Sequence, residues 1–379
     1  MPPPMRANRW TDETLEGFRQ RGDPLADETV KNLFQQGQVE TANVLLKQLI
    51  RNDQLVPDEL PEMLREYLLR TARLPDWADP DLVRQGEALF GRYGPQAVVS
   101  LFCGALPASY AAAKGVQVIH LTARLATDPF RRIMETAQML IDVLAPDGLA
   151  PGGSGIRSAQ KVRLMHAAVR HLLLQSGEWN PEWGHPINQE DLAGTLVDFS
   201  YAVIVGLEKL GCTLSRQEQN AYIHCWKVVG HMMGLEAAVL PDDMEDCAAL
   251  AEVIQRRHFR ASPEGQELTR ALIQMAEHVT PGDLFDGIAA SLMRHILGEE
   301  IADMLKVPPA DWTRHLIGPL SMLNRATDEL GDHSRVVAKI SELFGRKLVE
   351  GMVWMNRGAG RPPFRIPSAL RESWNVQGR

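Results

Sequence analysis

Residues 128–145 read DPFRRIMETAQMLIDVLA and residues 160–175 read QKVRLMHAAVRHLLLQ, with the glycine-rich stretch DGLAPGGSG (147–155) between them. The first segment opens like a helix: Asp128 suits an N-cap, and Pro129 at the first helical position loses nothing, because that N–H has no intrahelical partner. Phe130, Ile133, Met134, Ala137, Leu140, Ile141 and Leu144 recur at helical spacing and make one apolar stripe, with Arg132 and Thr136 one turn apart on its flank. In the second segment Val162, Met165, Ala168, Val169, Leu172 and Leu173 form the face to be buried. His166 stands on its border, and Arg163 and Arg170 project on nearly the same side. The PGGSG run follows no strand and lacks a Lys-Ser/Thr ending, so it reads as a helix connection rather than a phosphate cradle.

An imidazole at the edge of an apolar face, with a guanidinium about one turn away in each direction, has two readings. In one, an ordinary amphipathic helix has these groups along its polar edge. In the other, the imidazole ligates a haem iron, the apolar stripes enclose the macrocycle, and the guanidinium groups pair with its carboxylates.

Composition points to helices nearly throughout. Hydrophobic residues make up 45% of the 379-residue chain, aromatics only 6%, and the alternating Val/Ile/Thr segments expected of strands are scarce. The fold class is therefore all-α, and the length allows one large domain with extensions or two packed domains. A formal charge of −8, with basic residues dispersed among acids, argues against a nucleic-acid surface. No apolar run reaches membrane-spanning length. The start MPPPMRANRWTDE lacks the apolar segment of a secretory signal, which predicts a cytoplasmic protein. Cys103, Cys212, Cys225 and Cys247 form no C-x-x-C, and there is no C-x-x-C-H for covalent haem attachment; they read as free thiols. The G-x-S-x-G and H-E-x-x-H hydrolase signatures are missing too.

The pattern D-P-x-x-R-x-x-x-T (Asp128, Pro129, Arg132, Thr136), followed across the loop by R-x-x-H-x-x-x-R-H (Arg163, His166, Arg170, His171), resembles the latex-clearing rubber oxygenases and the related fungal oxygenases that cleave the terpenoid chain of a mycophenolic acid precursor. The match runs from roughly Ala105 to Leu240. The resemblance implies a globin-like helical core holding one non-covalent haem b, with dioxygen as co-substrate and an apolar, unsaturated small molecule as substrate, cleaved at a C=C bond. It implies His166 as the proximal iron ligand, Arg132 and Thr136 on the distal side, and Arg163, Arg170 and His171 as supporting, cofactor-binding residues. Around that core at 101–245 it leaves an N-terminal helical extension at 1–100 and C-terminal helices with a tail at 246–379.

The chain departs from the family at its distal side. The lysine that precedes the distal threonine in latex-clearing members is Glu135 here, and from Ser100 to Thr127 there is no Asp or Glu to serve as the upstream base. Glu135 is thus the acid left to handle a proton there, unless it merely pairs with Arg131 or Arg132 on the helix surface. A haem peroxidase-like or haem-sensing protein on the same fold, and a cofactor-free helical interaction protein, stay open as alternatives.

Elsewhere the signals are structural. Thr11, Asp79 ahead of Pro80, Asn188 and Thr213 to Ser215 each mark a helix start. Apolar periodicity runs from Glu28 to Leu46, from Pro61 to Thr71, from Asn188 through Gly206 or beyond, and from Ser215 to near the PDD at 241–243. The small-residue segment VVSLFCGALPASYAAAKGV (98–116), broken by Gly104, Pro107 and Gly115, becomes the distal wall if the resemblance holds, with Tyr110, Lys114, Gln117 and His120 as its polar groups. Glu182 and His185 form a lone E-x-x-H in a turn, and His224 and His231 share a helix face; both pairs lack further partners at metal-ligand spacing. The tail RGAGRPPFRIP reads as an extended arm that wraps the body or a neighbouring subunit in a homo-oligomer.

Overall fold

The computed structural model describes residues 9–124, 129–280, 287–309, 333–355 and 364–368. Among them there is no strand, only an isolated bridge between Ala112 and Phe259. No helix is long and apolar enough to cross a membrane.

The chain begins with α1 (Asp12–Arg19), α2 (Pro24–Gln35), α3 (Val39–Gln48) and α4 (Glu62–Arg70). It continues through α5 (Pro80–Arg92), α6 (Gly94–Ser100), a π-helical turn at Leu101–Ala105, α7 (Leu106–Ala111) and α8 (Val116–Arg124). The pair foreseen from sequence is α9 (Pro129–Leu144) and α10 (Gly155–Ser176). After it come α11 (Gln189–Phe199), α12 (Tyr201–Lys209), α13 (Arg216–Met232), α14 (Met244–His258), α15 (Pro263–Val279), α16 (Ile288–Leu297), α17 (Glu299–Met304) and α18 (His333–Met355).

Helix entrances follow local chemistry. The side chains of Thr11, Asp79 and Asn188 accept from backbone N–H groups of the first turn, and Ser215 forms a reciprocal capping box with Glu218. Asp128 lies outside the described residues. Helix ends differ from the periodic reading wherever a conformational break overrides it. Gly37, at φ +63°, separates α2 from α3. Ser200 divides α11 from α12, its hydroxyl donating to the Leu196 carbonyl at 2.7 Å and competing with the backbone ladder. The helix expected to run to 241–243 stops at Met232, ahead of Gly234 at φ +90°.

α10 is the axis of the molecule. Leu164, Ala167 and Ala168 belong to a core built with α2, α3 and α4, whereas Ile156, Ala159 and Val162 belong to a second core with α5, α9, α11, α13 and α14. Val169 and Leu173 pack with Val118 and Leu121 of α8. A third core joins α7, α15, α16 and α18. A helix enclosed on so many sides has little solvent face left, so its charged residues must find partners inside the protein.

The turn between α9 and α10 is fixed from a distance. Ser154, at the N-cap of α10, makes no side-chain cap; Asn52 supplies it instead, its Oδ1 accepting from the N–H groups of Ile156 (3.0 Å) and Arg157 (3.2 Å). The same amide donates to the carbonyls of Gly148 (3.0 Å) and Ala150 (2.6 Å). Asn52→Ala should therefore cost about 1–2 kcal/mol, as loss of an N-cap does. Urea denaturation measures it; an unchanged midpoint would mean that water replaces the amide without loss.

Candidate functional site

His166 lies midway along α10, surrounded by protein with only part of its surface exposed. Burial lowers its pKa to about 3, and the charges of Arg170 and Arg132 act in the same direction against Asp23. The imidazole is therefore neutral at any physiological pH. Its Nδ1 is buried without a hydrogen-bond partner. A neutral imidazole with an unengaged nitrogen is the form that binds a transition metal.

Arg132 approaches from α9. Its Nη1 donates to the carbonyl of Ile119 (3.3 Å) and to the hydroxyl of Thr122 (3.0 Å), tying α9 to α8. Burial depresses its pKa, opposed by Tyr110 and Glu135, but a guanidinium stays protonated. Tyr110, inside the small-residue wall, is pushed up to about 12 by burial and remains a phenol. Glu135 is buried, not on the helix surface, and lies close enough to Arg132 for the two charges to interact. Thr136 is exposed, and its hydroxyl donates to the Arg132 carbonyl at 3.1 Å.

The remaining residues expected around a cofactor divide. Arg163 does not reach for an added carboxylate: it closes a bidentate pair with Asp23, Nη2 to Oδ1 at 2.9 Å, with Nε engaged on Oδ2. Both partners are largely buried, and Gly234 makes room for them, since a Cβ there would sit 2.5 Å from each. Arg170 donates through Nε to Asp27 (2.7 Å) and through Nη1 to the Ile187 carbonyl (3.1 Å), leaving Nη2 buried without a partner. His171 turns toward α2 and packs against Phe34, ring centroids 4.6 Å apart and planes tilted by 30°. The structure thus brings His166, Arg132, Glu135 and Arg170 together and places His171 elsewhere.

Asp23 and Asp27 were missed in the sequence, where R-G-D-P signals only a helix interruption. Nothing local marks an acid as the partner of a guanidinium 140 residues away. His224 and His231 have structural partners. Both meet the Trp77 ring edge-on, at 6.0 and 5.9 Å, and His224 Nε2 accepts from the Asp79 N–H. Glu182 and His185 sit in and beside a short 3-10 turn, and no group of His, Cys, Asp and Glu among the described residues is arranged to hold a metal ion by itself.

Two measurements follow from these electrostatics. An unfolded imidazole titrates near 6.5, so between that value and about 3 the unfolded chain takes up a proton that native His166 refuses. This contribution to stability is complete above the window and is lost as pH falls through it, by up to about 1.4 kcal/mol per pH unit. His166→Leu should flatten the acid limb of stability of the cofactor-free protein by that share; parallel limbs would show that the ring accepts protons freely. Asp23→Ala should cost about 3–5 kcal/mol by leaving Arg163 buried and unpaired, and adding Arg163→Met should recover much of the loss. Equal losses in the single and double variants would show that the carboxylate matters for packing rather than charge.

The chain matches the family described as ER-bound oxygenase mpaB/B'/rubber oxygenase, catalytic domain, over residues 84–326. It is 31% identical over 287 residues to the rubber oxygenase of Streptomyces sp. (strain K30), covering 75% of this chain and 70% of that protein. Its fold is similar to that of latex clearing protein in the closed state, with a TM-score of 0.76 and 28% identity over 88% of this chain and 91% of that one. The span matched by the family includes α9 and α10 with Arg132 and His166, and the chain belongs to the mpaB and rubber oxygenase family.

Proposed function

We propose that this protein is a haem b oxygenase that attacks a carbon–carbon double bond in an apolar, unsaturated small molecule of terpenoid or lipid type. The observation that carries the reading is His166: a neutral, enclosed imidazole with a partnerless Nδ1, facing a distal-type arginine on the adjoining helix. These residues fit a haem. His166 would hold the iron, and the orphaned Nη2 of Arg170 is a donor suited to a haem carboxylate. Arg163 serves as a positioning residue, locking α10 in register through Asp23. When bound, the haem supplies an iron that activates dioxygen.

The chain's own residues perform the rest. Arg132 presents a fixed positive charge in a low-dielectric site, where it favours negative charge developing on oxygen without needing to reorganise. Thr136 steadies the backbone of Arg132 through its hydroxyl. Glu135, buried beside that guanidinium, holds or releases a proton at its carboxyl oxygen, the task for which segment 100–127 offers no acid.

Haem content and turnover test the proposal separately. His166→Ala should abolish or greatly weaken haem binding, read from the Soret band and a pyridine haemochromogen assay; a full haem complement would remove His166 as the ligand. Arg132→Ala should retain haem while slowing oxygen uptake with an unsaturated terpenoid by roughly 10². Glu135→Gln should alter the pH profile of that turnover, and an unchanged profile would remove the proton role. Turnover with hydrogen peroxide and a dye, but not with dioxygen and alkene, would replace the oxygenase by a peroxidase.

A further inference from the structure

A cavity of about 320 Å³ lies beside α7, α11, α12 and α14. That volume is within the range of small-molecule sites. Its walls are mainly apolar, with Ala108, Val205, Ile254 and Ile296 among them, and it extends to Ile119, whose carbonyl accepts from Arg132. Three carboxyl groups line it, and two are fully engaged. Glu190 accepts from His258 and Arg257, both at 2.7 Å, and from Arg19; Asp191 accepts from Arg19 at 2.9 Å and from the Asn188 amide at 2.7 Å. Asp198 has neither a hydrogen bond nor an ion pair among the described residues, although protein surrounds it and its remaining surface faces the cavity. Lys209, on the same wall, donates to the Ile296 carbonyl at 2.6 Å.

Burial alone raises the Asp198 pKa well above the usual carboxylate range and so favours the neutral acid, which has one O–H to donate. A pure hydrocarbon in the cavity would leave that donor unsatisfied. An ammonium ligand would require two charges to be desolvated together, which costs more than one neutral hydrogen bond. A carbonyl or hydroxyl oxygen on an otherwise apolar molecule satisfies the donor without either penalty.

We infer that this cavity binds an apolar molecule bearing a neutral oxygen function, with Asp198 as the group that recognises the oxygen. Because the cavity reaches the residue that holds Arg132, the ligand is the oxygenated end of the substrate; that step rests on the oxygenase reading, whereas the binding does not.

Calorimetry on the full-length, haem-loaded protein with 2-nonanone, 1-nonene and nonylamine as probes tests it. The ketone should bind about tenfold more tightly than the alkene, one hydrogen bond's worth. Asp198→Val should remove that advantage and leave the alkene unaffected, whereas Asp198→Asn, which keeps a donor, should hold the ketone within about threefold. Gly194→Leu, on the cavity wall where a Cβ meets only Ile254 at 3.6 Å, should abolish binding of both. Equal ketone affinity in the native and Asp198→Val proteins, or no ketone binding at all, would overturn the inference. So would tighter binding of nonylamine that Asp198→Asn removes, since that outcome marks a cation site. Loss of haem on purification would count against the oxygenase alone, because ketone binding is read without turnover.

Discussion

Everything at the proposed iron site depends on two carboxylates at the start of α2, Asp23 and Asp27, pairing with Arg163 and Arg170 of α10. α10 is enclosed by three packed groups of side chains, so its guanidinium groups have little water to turn to. A buried charge without a partner is costly, and the same pairing that relieves this cost fixes the rotation and height of α10. His166 lies between the two arginines in sequence. The N-terminal helices therefore bear on the proposed site, because they hold the helix that carries His166.

The charge around His166 has a second consequence. A histidine near its ordinary pKa is contested by protons in mildly acidic solution, and a metal must then displace them. With its pKa at about 3, His166 is free of that competition over the whole physiological range. Two cations, Arg170 on the same helix and Arg132 across on α9, reinforce what burial begins. The arrangement favours a permanently neutral imidazole over a pH switch.

The helical fold was open to reading because it rests on local rules: apolar spacing in α9 and α10, and caps at Thr11, Asp79, Asn188 and Ser215 act within a few residues. The breaks were harder. Ser200 interrupts an apolar stretch without any change in its periodicity, and Gly234 ends α13 in a conformation whose reason lies in the ion pair packed against it. At the site, spacing alone left an ordinary amphipathic edge and a haem site both open, and the family resemblance singled out Arg132 and His166. Neither showed that Arg163 would be taken by Asp23, nor that His171 would turn to Phe34, because both outcomes depend on how α2 docks. An arginine near a histidine on one helix face is legible as sequence; which anion it meets is a property of tertiary structure.

Glu190 and Asp198 make the same point on a single helix. Both are carboxyl groups of α11 lining one cavity, yet their electrostatic fates are opposite. Burial tends to raise the pKa of Glu190, but hydrogen bonds from His258 and Arg257 outweigh it and keep the group ionised. That cluster binds α1, α11 and α14 together and is complete in itself. At Asp198 burial acts unopposed. Replacing an engaged buried acid destabilises the protein by orphaning its partners, whereas an unengaged one contributes no bond to the fold and costs desolvation. Its retention in a stable structure calls for a benefit outside folding, and a ligand that completes its hydrogen bond provides one.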